Sequence, residues 1–291
     1  MIKNKQNIRP VDAPIYRYWQ ALYLAFYSSR LYVDVFKRWR GFGVRYMLLL
    51  LAIATIPLSA RITFSFDQIF ESQMIMPLNQ LPTLYVQNGE VVFDKPMPYF
   101  VKNTKGGIVA IIDTTGTIKE ISKQYPQLTI LITKDKLLFR IPKFPSLFTT
   151  PKQVLGDNVY VQLLNKNTNE LFVGEKWVKS SGVLKLKWIT ELLVYPLMTG
   201  FVYGLYTMSM LVFAFIGQLF ALIIFKFKLT FREACRLLLV ASTAQTAVFF
   251  AMLTANVTLP GGGTIYIVLL AAYFSYAVLS VRRESKKMVL R

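Results

Sequence analysis

The chain has 291 residues, of which 54% are apolar, and its mean hydropathy of +0.41 indicates a membrane protein rather than a soluble domain. Much of its formal charge of +19 lies beside apolar segments, as topology signals do, and this distribution argues against a nucleic-acid-binding face. Histidine is absent and Cys235 is the single cysteine, which excludes His-dependent catalysis, histidine metal sites, cysteine metal clusters and intrachain disulfides.

The N-terminal segment, residues 1–42, is dense in aromatic and basic side chains. Residues 15–40 interleave rings with Arg and Lys, which predicts an amphipathic helix lying in the headgroup plane with its cations towards anionic lipid. A calmodulin-like target helix or an RNA-binding segment is a less well motivated alternative. The candidate contacts to lipid headgroups are Arg38, Trp39, Arg40 and Arg45.

The first apolar segment lies between Arg45 and Arg61 and predicts a transmembrane helix over residues 43–63. Its fifteen central residues cover about 22 Å of helix, so flanking residues must extend the span across a hydrocarbon core of about 30 Å. A cleaved signal peptide is the alternative, but the region that precedes the apolar run is too long for one.

Residues 64–185 have the mixed composition of a folded domain and predict a small α+β domain with a mostly antiparallel sheet. The strongest local signal is Asn88-Gly89 between two β-rich runs, which predicts a hairpin. The other expected elements are a buried strand at 108–112, a short helix at 117–124, a strand pair at 128–133 and 136–141, and a third pair at 158–164 and 171–173.

The fragment IVAIIDTTGTIK, residues 108–119, resembles the phosphorylation loop of P-type ATPases and of related phosphatases. A phosphatase-type loop would need its second carboxylate at position 115, which is Thr115 here. We therefore expect Asp113 to accept backbone N–H groups from a turn in which Gly116 supplies conformational freedom, and we expect no enzymatic activity.

The C-terminal region, residues 186–291, predicts a juxtamembrane amphipathic segment ending near Pro196, followed by three spans. Whether residues 186–225 form one kinked helix or two segments is open at this stage. The spans are expected at 199–225, 234–255 and 264–281. The expected fold class is therefore α+β, with four transmembrane helices and an extracytoplasmic domain between the first and second.

Four spans place both termini on one side of the membrane. Lys and Arg residues flank the spans on that side, so the positive-inside rule predicts that both termini are cytoplasmic. The domain at 64–185 would then face the outside of a bacterial inner membrane, as a periplasmic domain. A loop of this length can carry many lysines and still be translocated.

Three polar residues of the third predicted span, Ser242, Gln245 and Thr246, are spaced so that they share one helix face. They are candidates for a small intramembrane polar site, and hydrogen bonding between helices is the structural alternative. No charged residue lies deep in a predicted span, which argues against ion-coupled transport.

The order of these features, with Asn88-Gly89-Glu90 and Ile112-Asp113-Thr114-Thr115-Gly116, resembles the DUF1189 family of bacterial integral membrane proteins. Gram-positive "maltodextrin utilisation" membrane proteins are assigned to this family, which is similar at a distance to Yip1-type trafficking adaptors. The resemblance implies a multi-pass membrane protein and supplies no catalytic residues.

These observations favour a non-enzymatic scaffold, accessory subunit or assembly factor that engages a protein partner through its extracytoplasmic domain. The alternative is a protein that binds or transports a lipid or a lipid carrier. Membrane lipids, above all anionic ones, are expected partners. We expect no nucleic acid, cofactor or metal.

Overall fold

The computed structural model describes residues 13–103, 106–122, 124–142, 155–165, 167, 169–257 and 260–289. The chain divides into two compact units. The helical unit consists of Met1–Ala60 and Tyr195–Arg291, and the β unit consists of Arg61–Val194. The expected α+β fold class is confirmed, since helices and two β-sheets are both present.

Ten α-helices lie within the described part of the chain. A π-helical turn, Glu71–Ile75, lies between the fourth and fifth of them. In chain order the helices are α1 Tyr18–Leu24, α2 Ser29–Arg38, α3 Val44–Ala54, α4 Ile56–Phe70, α5 Met76–Gln80, α6 Gly174–Ser180, α7 Val183–Phe225, α8 Phe231–Ala241, α9 Thr243–Ala255 and α10 Gly262–Val289.

Two helices are long and apolar enough to cross a membrane, Val183–Phe225 and Gly262–Lys286. Two further pairs meet the same criteria only if each bent pair is one span: Val44–Ala54 with Ile56–Gln80, bent by 42°, and Phe231–Ala241 with Thr243–Ala255, bent by 43°. The described part of the chain therefore has between two and four candidate spans.

Residues 15–40 form two helices, α1 and α2, rather than the single amphipathic helix that we expected. The break comes at Ser28, whose hydroxyl accepts a hydrogen bond from the Leu31 N–H and begins α2. One face of α2 packs against α8 and α10, and Leu31 and Tyr32 are completely buried there. Protein rather than lipid covers this face.

Helix α7 continues from Val183 to Phe225 through Pro196, so residues 186–225 belong to one helix rather than to two segments. A proline removes one backbone hydrogen bond, and a membrane helix tolerates that loss where neighbouring groups compensate. The residues on both sides of Pro196 are apolar helix formers and contain no turn signal.

The β unit contains two sheets. The strand order of the first is β2-β1-β8 and that of the second is β3-β4-β5-β6-β7. Every strand pairing among the described residues is antiparallel except that of β4 with β5. The strands are β1 Leu84–Gln87, β2 Glu90–Val92, β3 Tyr99–Lys102, β4 Ile108–Asp113, β5 Ile130–Thr133, β6 Lys136–Pro142, β7 Leu155–Leu163 and β8 Glu170–Phe172.

Two predicted hairpins are present. Strands β1 and β2 meet at Asn88 and Gly89, which both have positive φ, +52° and +77°, as the tight turn requires. Strands β5 and β6 meet at Lys134-Asp135. The third predicted pair, residues 158–164 with 171–173, is wrong, because β7 pairs with β6 and β8 pairs with β1.

The expected helix at 117–124 is absent from the described residues 117–122, which are irregular. Asp113 is the reason, since its carboxylate accepts the Ile118 N–H and fixes a turn where the helix would have begun.

Strand β4 is apolar on both faces because each face is covered. On one face Ile112 joins the main core of the β unit, which includes Leu78 and Val178. On the other face Ile111 joins a smaller cluster with Leu128. Burial on both faces explains the continuous apolar run of this strand, since a strand with one wet face would alternate.

Candidate functional site

Asp113 ends β4 with both carboxylate oxygens engaged. Its Oδ1 accepts hydrogen bonds from the Thr115 N–H at 2.9 Å and the Thr115 hydroxyl at 2.5 Å, and its Oδ2 accepts the Ile118 N–H at 2.6 Å. Gly116 follows with φ of +81°, a conformation that favours glycine. This is the geometry of a structural turn.

Burial of Asp113 is complete and by itself raises the pKa of the carboxyl group. Hydrogen bonds from Thr115, Ile118 and Gly116 outweigh that effect and hold the pKa below its usual value. Asp113 is therefore an ionised group with no exposed surface and with its lone pairs directed at the turn. A nucleophile would need an open approach to one of these oxygens.

The polar residues around the bend between α8 and α9 bond within the protein. Ser242 lies at the bend, and its hydroxyl donates to the Leu239 carbonyl at 2.9 Å. The Thr246 hydroxyl donates to the Ser242 carbonyl at 2.8 Å, and both residues are completely buried. Gln245, the third predicted member, has a buried Oε1 that accepts no hydrogen bond from any described residue.

Hydroxyl groups also connect the bent helices to their neighbours in the helical unit. Tyr206 of α7 lies 3.0 Å from the Thr246 hydroxyl. Tyr46 of α3 lies 2.6 Å from the hydroxyl of Thr243 in α9. The sequence gives no signal for the two tyrosines, because their partners lie 40 and 197 residues away along the chain.

The four headgroup candidates have different environments. Trp39 is 2% exposed and packs edge-on against Tyr18, with ring centroids 4.7 Å apart. Protein covers its ring, so the expected contact of Trp39 with lipid headgroups is wrong. Arg40 and Arg45 are exposed, whereas Arg38 forms an ion pair with Asp34.

A groove of about 810 Å³ lies between α2 and α10 in the helical unit, and we call it the α2–α10 groove. Basic side chains line it from both helices, together with two carboxylates. Arg40 and Arg45 are not among its lining residues. The charged lining residues are Arg30, Asp34, Lys37 and Arg38 of α2 and Arg283 and Glu284 of α10.

Asp34 connects the N-terminal segment to this groove. It is 3% exposed, and its carboxylate accepts the backbone N–H groups of Ile15 and Tyr16 at 3.1 to 3.2 Å. Arg38 Nη1 lies 3.5 Å from the same carboxylate. Ile15 and Tyr16 therefore line the groove in positions fixed by Asp34.

In the β unit, strand β7 lies at the edge of the five-stranded sheet and exposes large apolar side chains. Tyr160 is 60% exposed, Val161 49% and Leu163 67%. Consecutive residues of a strand point to opposite faces, so the exposure of Tyr160 and Val161 together means that both faces of this strand are open.

A family model described as a protein of unknown function, DUF1189, matches residues 19–278. The match covers most of the chain and parts of both units. The chain belongs to the DUF1189 family. No significant match is found among curated proteins or among solved structures.

The DUF1189 match takes in the Asp113 turn, strand β7 and the α2 side of the groove. It ends at residue 278, before the α10 residues Arg283 and Glu284 that line the other side of the groove. In the sequence Arg283 is one of several basic residues that follow the last predicted span, and the packing of α10 on α2 places Arg283 and Glu284 at the groove.

Proposed function

We propose that this member of DUF1189 is a non-enzymatic integral membrane protein that acts as a scaffold, accessory subunit or assembly factor. Its β unit faces the outside of the bacterial cytoplasmic membrane and binds a protein partner. Both termini are cytoplasmic, and the chain crosses the membrane four times.

The four-span arrangement has support from geometry and from charge. Counting each bent helix pair as one span gives four candidate spans, and an even number returns the chain to its starting side. Lys226 and Lys228 precede α8, and Arg282 and Arg283 lie near the end of α10, as expected for cytoplasmic flanks.

The observation that carries the partner-binding proposal is the exposed edge of β7. Within the described sheet β7 pairs with β6 alone, so its outer backbone N–H and C=O groups have no strand partner there. Exposed edges of this kind bind extended peptide segments, with backbone hydrogen bonds for affinity and side-chain contacts for specificity. The occupant that fits is an extended segment of a partner protein, packed on Tyr160, Val161 and Leu163.

Photo-crosslinking in native membranes tests this proposal. A photoreactive amino acid at Val161 should give one heavier product that contains a second protein in stoichiometric amount, whereas the same group at Glu120, an exposed turn residue, should not. Recovery of the protein alone, or the same products from both positions, would contradict binding at β7.

The alternative function, binding or transport of a lipid or lipid carrier, has one observation in its favour. The α2–α10 groove collects cations from two helices on the side that the charge distribution predicts to be cytoplasmic. Of the headgroup candidates predicted from sequence, only Arg38 lines this groove.

A further inference from the structure

We propose that the α2–α10 groove binds a phosphate-bearing anion, held chiefly by Arg30 and Arg283. The anion is either the headgroup of a phospholipid or a soluble phosphate ester, which share the same recognition chemistry. This site rests on the lipid-binding alternative and specifies its ligand class and residues, and it is independent of partner binding at β7.

The charge of the groove favours an anion. Four basic side chains and two carboxylates line it. Asp34 is directed inward, because its carboxylate already accepts two backbone N–H groups and pairs with Arg38. Arg30 and Arg283 form no ion pair with any residue that the structure describes. Their guanidinium groups therefore have donors available for a ligand.

The spacing of the basic residues explains why they meet in one groove. Arg30, Lys37 and Arg38 are seven and eight residues apart on α2, which places them on one helix face. On α10, Ser280 and Arg283 are three residues apart and share a face in the same way. Because these two helices pack together, the basic face of α2 and Arg283 of α10 line a common space.

Arginine suits phosphate recognition because its planar fork can donate two parallel hydrogen bonds to phosphate oxygens. Two arginines from different helices can therefore bind one phosphate group from two directions. The volume of about 810 Å³ exceeds the needs of inorganic phosphate and lies in the usual range for small-molecule sites. An ester with a headgroup-sized substituent matches the groove better than the free ion.

The N-terminal segment completes one wall of the site. Ile15 and Tyr16 line the groove, and Asp34 fixes both through their backbone N–H groups. Arg38 is held against Asp34 and lines the same groove. The site is thus assembled from a loop, α2 and α10, which are far apart in the sequence.

The experiment compares two double variants of the full-length protein, each of which removes two positive charges. Arg30→Gln with Arg283→Gln changes the groove, and Lys226→Gln with Lys228→Gln changes exposed lysines of the helical unit outside it. In the lipid arm, each protein is placed in nanodiscs of phosphatidylcholine and phosphatidylglycerol. The protein is then released from the nanodisc in the mass spectrometer, and native mass spectrometry measures how much phosphatidylglycerol stays bound to it. In the soluble arm, delipidated protein in neutral detergent is titrated with glycerol 3-phosphate by calorimetry.

The groove variant should weaken binding by at least about tenfold, since two charge-assisted contacts are lost, and the control variant should bind like the wild type. Loss in the lipid arm identifies a headgroup, and loss in the soluble arm identifies a free ester. Equal loss in both variants would overturn the site in favour of general surface charge. Absence of binding in both arms would overturn it as well.

One outcome distinguishes failure of the groove site from failure of the lipid-binding function. If wild type and both variants retain the same amount of phosphatidylglycerol, the protein binds lipid elsewhere and the groove is excluded. Thermal unfolding of each variant is the check on folding, and both exposed pairs should leave the midpoint unchanged.

Discussion

The Asp113 carboxylate is fully buried and yet held in its ionised form by the turn that follows it. The groups that donate hydrogen bonds to it come from residues within five positions, which is why the sequence could predict the turn: Asp and Gly at this spacing are typical of it. The environment of Trp39 could not be predicted in this way. A dense aromatic pattern is the same whether lipid or protein covers the rings, and Tyr18 and Tyr46 cover Trp39 here.

At the residue scale, Asp113→Asn should lower the free energy of unfolding by about 1 to 3 kcal/mol at neutral pH, because a buried charged acceptor of three hydrogen bonds is lost. The folded pKa lies below 3.8, the ordinary value, so the unfolded chain binds the proton more readily. The stabilisation from Asp113 is therefore present above about pH 3.8 and is lost as the pH falls through the folded pKa.

Urea unfolding of the full-length protein, followed by circular dichroism at several pH values, measures both effects. Asp113→Asn should be less stable at neutral pH and should lose less stability on acidification than the wild type. The exposed control Glu120→Gln should follow the wild type. A wild-type stability that does not change between neutral pH and pH 3 would contradict the turn account.

At the element scale, local pairings could be predicted and distant ones could not. The hairpins at Asn88-Gly89 and Lys134-Asp135 are set by their own turn residues. Strands β7 and β8 are not joined by a short turn with such residues. Each pairs at the edge of a different sheet, so tertiary packing determines its partner. The sequence around Pro196 left one kinked helix and two segments as alternatives, and the structure has one helix, because a single proline need not end a helix whose flanking residues are apolar.

The packing of α1 and α3 around Trp39 gives an element-scale prediction. Trp39 contacts the rings of Tyr18 in α1 and Tyr46 in α3, so Trp39→Ala should destabilise the folded protein by about 3 to 5 kcal/mol. Trp39→Phe keeps an aromatic ring and removes a buried indole N–H that has no hydrogen-bond partner among the described residues, so its cost should be much smaller.

Thermal unfolding in detergent compares these variants, with Trp19→Ala as control because Trp19 is 54% exposed. The expected order of stability is wild type close to Trp19→Ala, then Trp39→Phe, then Trp39→Ala. If Trp39→Ala were as stable as Trp19→Ala, Trp39 would lie at the lipid surface after all.

At the scale of the whole molecule, the fold combines residues that the sequence presents as unrelated. Arg30 and Arg283 belong to opposite ends of the chain, and in the sequence each is only one charge in a basic flank. Packing of α2 against α10 places both in one groove. Composition could predict a membrane protein and an α+β middle region, but it could not predict this site, because the site depends on tertiary contacts.

The proposed partner binding depends on the claim that the β unit faces the outside of the membrane. Single cysteines at Glu120 of the β unit and at Arg40 of the helical unit, in a Cys235→Ala background, would be treated with a membrane-impermeant maleimide in intact spheroplasts. The proposal predicts that the cysteine at 120 reacts in intact spheroplasts and that the cysteine at 40 reacts only after the spheroplasts are permeabilised. Reaction of the cysteine at 120 only after permeabilisation would contradict it.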